Sequence, residues 1–136
     1  MLPPAAAGSV KLMKATQRNK LLKLIEQSSW QVRSIEGKEQ LWSGAEWFIA
    51  ELWEIESVWS PRGFRAFITF VVDPLSNFSE ENRWPSVWMV IASLQRPISW
   101  GAGEGEVELV LNRGWQARLP EFLNGLNALR SGALTG

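Results

Sequence analysis

The sequence predicts an α+β fold: an antiparallel meandering sheet of four to five strands, with an N-terminal and a C-terminal helix packed on one face. Three observations predict it. Apolar residues recur at helical spacing near both ends of the chain. Between those ends run short segments that alternate in polarity or are rich in β-branched and aromatic residues. Turn residues separate these segments, and neither an internal repeat nor a low-complexity linker divides them. A single domain is therefore expected over residues 10–130, with a disordered segment at 1–9 and a frayed end at 131–136.

Taken in order, Ser9 is placed to cap a first helix from about Val10 to Gln27. Val10, Met13, Leu21, Leu24 and Ile25 give it an apolar side, with Lys20 and Lys23 opposite. The Ser28-Ser29 pair ends it. A short strand follows from Trp30 to about Glu36, and Gly37-Lys38 reads as a turn. Residues 44–52 carry two signals. Ser43 with Glu46 forms a possible capping box, which argues for a helix from Gly44. The stretch Leu52 to Trp59 alternates, which argues for a strand. Strand is preferred because Ser60-Pro61-Arg62-Gly63 follows as a turn and Phe64–Val72 reads as the return strand.

Pro74 stops that strand, and a polar loop of about eleven residues leads to the next, Val87–Leu94. Arg96-Pro97 and a glycine-rich turn precede a last strand from about Glu106 to Leu111. Leu119, Phe122, Leu123, Leu126 and Leu129 then mark an amphipathic closing helix, with Pro120 in its first turn.

Composition limits the chemistry. The 136 residues are 46% hydrophobic and 21% charged, enough to bury one core. There is no cysteine, histidine or tyrosine. Disulfides, thiolate chemistry, histidine-dependent acid/base catalysis and the Ser-His-Asp triad are excluded. A zinc site and a cofactor are not expected. No window of apolar residues is long enough for a membrane span, no secretory leader is recognised, and a cytoplasmic location is expected.

Formal charge is zero but unevenly spread. Residues 1–38 hold seven cations against two acids, a net of +5; the remainder holds seven against twelve, a net of −5. Two readings follow: a basic helix docked on its own acidic sheet, or a surface including Lys11, Lys14, Arg18, Lys20 and Lys23 that meets an acidic partner or nucleic acid. The first is preferred, and nucleic acid is not the expected partner.

Nine tryptophans are the sequence's main peculiarity. Trp47, Trp53 and Trp59 share one parity along the expected strand with Ile49, Glu51 and Ile55. Trp84 and Trp100 fall in expected loops, where burial is harder to arrange. A carboxylate among such rings needs a partner, for which Arg65 is the candidate. Trp53, Trp59, Trp84, Trp100, Glu51, Arg62 and Arg65 are thus the candidate ligand- or partner-contacting residues, with no metal site. The pairs Glu54/Glu56 and Glu106/Glu108, each about 7 Å apart on one strand face, read as solvated sides. The leading expectation is a non-catalytic module that contacts a protein partner or a second copy through tryptophan-bearing sheet surface. The alternative is a small-molecule pocket or carboxylate-dependent enzyme centred on Glu51, lined by Trp53 and Trp59.

Overall fold

A computed structural model describes residues 13–39, 49–73, 84–96 and 106–135. The first helix, α1, spans Ala15–Gln27. It starts later than the expected Val10, because Lys14 is extended (φ −129°, ψ 161°) and its backbone N–H donates to Gln17 Oε1 at 2.8 Å. That glutamine supplies the reciprocal half of a capping box, at a helix start for which the sequence offered Ser9 as the cap. Ser9 and residues 10–12 lie outside the described residues, as do the expected disordered segment 1–9, the glycine-rich turn and the capping-box signal at Ser43 and Glu46. The buried faces of Leu21 and Ile25, with Met13 just before the helix, dock α1 on the sheet.

Five strands follow: β1 (Trp30–Glu39), β2 (Ile49–Ser57), β3 (Arg65–Val72), β4 (Val87–Ser93) and β5 (Val107–Val110). They pair antiparallel in the order β1-β2-β3-β4-β5, the expected meander. The hairpin read from Leu52–Trp59 and Phe64–Val72 is β2–β3. It closes with the Ser57 N–H donating to the Phe64 carbonyl at 2.8 Å, and Gly63 supplies the left-handed residue (φ 90°) that the turn needs. A short 3-10 turn, Trp115–Arg118, leads into α2 (Leu119–Thr135). This helix runs to Thr135.

Both helices cover the same face. Trp30, Trp53, Ile55, Ile68, Phe70, Val90 and Leu109 from the sheet meet Leu21, Ile25, Phe122 and Leu126 from the helices. Gly125 permits close approach there: a Cβ at that position would stand 2.8 Å from Val107 Cγ1. The opposite face carries a second apolar cluster of Ile49, Leu52, Val71, Met89 and Ile91. The central strand β3 is accordingly buried on both sides for most of its length.

A bulge between Ile49 and Glu51 corrects one sequence expectation. Strict alternation placed Ile49 with Trp53 and Ile55, but the inserted residue shifts phase, so Ile49 joins the second cluster while Glu51 stays on the helix face. Just past β4, both guanidinium ends of Arg96 pair with Glu36 of β1 at 2.6 Å. Three strand spacings, about 14 Å, separate β1 from β4. Arg96 therefore reaches back over the face opposite the helices, toward β1. No helix of the described residues is long and apolar enough to cross a membrane.

Candidate functional site

Glu51 is the acid that sequence singled out, and the bulge beside it aims its carboxylate under α1. One oxygen, Oε1, accepts three N–H groups: Arg18 Nε at 3.0 Å, Arg18 Nη2 at 2.9 Å and Trp53 Nε1 at 2.7 Å. The Arg18 guanidinium stands 5.2 Å from the Trp53 ring and 5.9 Å from the Trp84 ring. Phe70 joins the two indoles, 4.7 Å from Trp53 and edge-on at 5.5 Å from Trp84. Each such ring pair contributes about 0.5–1.5 kcal/mol beyond the area it buries. A nearly buried ion pair needs further hydrogen bonds to offset its desolvation, and the Trp53 N–H on Oε1 and the Asn19 Oδ1 that accepts from Arg18 Nη1 supply two.

The partner of Glu51 is therefore Arg18, not Arg65. Arg65 lies on the other face, because residues of one strand alternate sides, and there it pairs with Glu54 and, at 3.3 Å, with Glu56. Arg33 adds a 3.5 Å contact to Glu56. These exposed pairs are the solvated side expected for the alternate glutamates. The basic helix is held on its acidic sheet through Arg18, while Lys14, Lys20 and Lys23 remain exposed.

Trp53 and Trp59 do not line one cavity. Trp53 is sealed in the helix-covered core with its N–H given to Glu51, whereas Trp59 lies beyond the end of β2 with 66% of its surface exposed. Trp84 is half-buried against Phe70. Arg62 is exposed in the same β2–β3 connection as Trp59, and Trp100 lies outside the described residues.

The Trp59 ring is free but its backbone is not. The buried Ser57 hydroxyl donates to the Trp59 carbonyl at 2.7 Å and accepts the Trp59 N–H at 3.2 Å. The Val58 N–H donates to the Ser29 carbonyl at 3.0 Å. Behind Ser57 sits Arg130 of α2, which donates to Ser57 Oγ, to the carbonyls of Ser28 and Ser29, and to Asn127 Oδ1. Removal from water holds the Arg130 guanidinium below its usual pKa, and among the described residues no carboxylate pairs with it. Backbone carbonyls at the end of α1, where the helix dipole is negative, stabilise the charge in its place.

Sequence reasoning placed Arg18 in the basic helix surface without pairing it with Glu51, and it missed Arg130. A signal existed for Arg130: it stands four residues after Leu126, on the buried stripe of α2, where a cation is out of place unless bonded. Among the described residues no three acids cluster as a metal site would require. No protein-family model, no curated protein and no solved structure matches this chain.

Proposed function

We propose that this chain is a non-catalytic protein-interaction or oligomerisation module, and that the end of the sheet bearing Trp59 is its contact surface. One observation carries the reading: a large indole held in water on a backbone that Ser57, Ser29 and Arg130 fix in place. Val58 beside it is 42% exposed, and Arg62 shares the connection. Tryptophan and arginine dominate the energetics of protein interfaces, and a backbone already held in place loses little freedom on binding. Engagement of Glu51 Oε1 by three donors supports a structural task for that carboxylate over a catalytic one.

The test is a photo-crosslinking amino acid placed at Arg62, compared with one at the equally exposed Gln116. Discrete adducts in cells from position 62 alone, lost in a Trp59→Ser background, are the expected result. Identical products from both positions, or adducts indifferent to Trp59, contradict the reading.

A further inference from the structure

Strand order leaves β1 at an edge of the sheet, paired among the described residues with β2 alone. It runs for ten residues, against four in β5 at the opposite edge. An edge strand presents a row of backbone donors and acceptors on which another strand can build. Gln31, Arg33 and Ile35 along it are exposed. Ile35 is the telling residue. It stands directly across from fully buried Trp53 on the helix-covered face, yet 42% of its surface meets water. Among the described residues, cover for that face stops short of the β1 edge.

We propose that β1 pairs antiparallel with β1 of a second copy of this chain, joining two five-stranded sheets about a two-fold axis at Ile35. A two-fold interface requires a surface that complements itself, and β1 does so in both shape and charge. Centring the pairing on Ile35 sets the two isoleucines opposite each other, with Cβ atoms about 5 Å apart. It also sets Ser34 opposite Glu36, so that Arg33 of one copy stands beside Glu36 of the other. The Arg33 and Glu36 side chains are 47% and 36% exposed, so each can add this contact while keeping Glu56 or Arg96. The irregularity between Val32 and Ser34 twists the strand locally and shortens the ladder, making the association weak and concentration-dependent. Self-pairing is one form of the interaction module proposed above, but it uses a surface apart from Trp59, so either can fail alone.

The absence of cysteine provides the test. Ile35→Cys puts the chain's sole thiol on the proposed axis, and Val110→Cys, at a 39% exposed position on β5, is the control. At micromolar concentration under mild oxidation, Ile35→Cys is expected to form the disulfide-linked pair at least about tenfold faster, since pairing raises the local thiol concentration. Ile35→Lys, which sets like charges opposite each other, is expected to hold the light-scattering mass at that of a single chain with the circular dichroism spectrum unchanged. Equal oxidation rates for the two thiols overturn the pairing, as does an Ile35→Lys chain that associates like the parent. If those results come with Trp59-dependent crosslinks from position 62, the module stands and the β1 pairing alone is lost.

Discussion

The guanidinium of Arg130 lies 4.6 Å from the centre of the Trp30 ring, stacked on an indole that begins the first strand from a helix that ends the chain. Trp30 in turn donates its N–H to Asn127 Oδ1 at 2.9 Å, one turn before Arg130 on the same helix. Together they fasten the α1–β1 junction, where Ser29 occupies the left-handed region at φ 69°. A serine is uncommon there, and its carbonyl is held by both Val58 and Arg130.

Removing that fastening exposes its weight. Arg130→Ala is expected to destabilise the fold by about 2–4 kcal/mol in urea denaturation, since it takes the guanidinium from the part-buried Ser28 and Ser29 carbonyls, leaving the latter with Val58 alone, and opens a gap over Trp30. Arg130→Lys is expected to recover less than half, because an ammonium cannot present a planar fork to several acceptors at once. Full recovery by lysine would mean that charge alone matters.

Arg18 and Glu51 are expected to behave as a unit. Glu51→Ala alone takes the carboxylate from a part-buried Arg18, a loss of about 3–5 kcal/mol, and Arg18→Ala alone also destabilises, whereas Arg18→Met with Glu51→Leu together lose much less than the two single losses summed. Stability measured around this double-mutant cycle checks it, and additive losses would contradict the pairing.

Thr69 sits between Leu52 and Ile91 in the second apolar cluster, and its buried hydroxyl has no hydrogen-bond partner among the described residues. Thr69→Val keeps the shape and removes the stranded polar atom. A gain of about 1 kcal/mol in the unfolding free energy is expected.

Two glycines in α2 separate propensity from packing. Among the described residues nothing lies within 4 Å of a Cβ built on Gly132, so Gly132→Ala is expected to stabilise by about 0.5–1 kcal/mol through helix propensity. The same change at Gly125 meets the branched Val107 side chain, and it is expected to destabilise despite that propensity. Thermal unfolding of the two variants reads the opposite signs.

Hydrogen bonds from Arg96, aided by its charge, hold the Glu36 carboxyl below its ordinary pKa of 4.5. A carboxyl depressed in the folded state stabilises above its unfolded pKa and loses that effect as pH falls through the folded value. The parent chain is therefore expected to exceed Glu36→Gln in urea midpoint at neutral pH, by a small margin because the pair is half in solvent. The gap closes on acidification below pH 4.5. A constant gap would assign the difference to packing.

The elements were legible because local signals agreed with the fold. Alternation in Leu52–Trp59, the Ser60–Gly63 turn and the stripe from Leu119 each specify one element without reference to distant residues. What escaped the sequence was phase and long-range pairing. One inserted residue at Ile49/Glu51 moves Ile49 to the opposite face, and no periodicity reveals a bulge. Arg18 meets Glu51 across 33 residues and Arg130 meets Ser28 across 102, separations at which sequence supplies charges but not partners. Trp59 was identifiable as an indole, and its exposure follows from its place just past the last paired residue of β2.

The meander has a consequence for assembly in time. Every strand pairs with its neighbour in sequence, so each ladder closes a short segment and the sheet can form as the chain lengthens. The bonds from Asn127 and Arg130 come only with α2, after every strand. A nascent chain stopped before Asn127 would own all five strands yet leave Trp30 unroofed, a species prone to stick to others of its kind until α2 emerges.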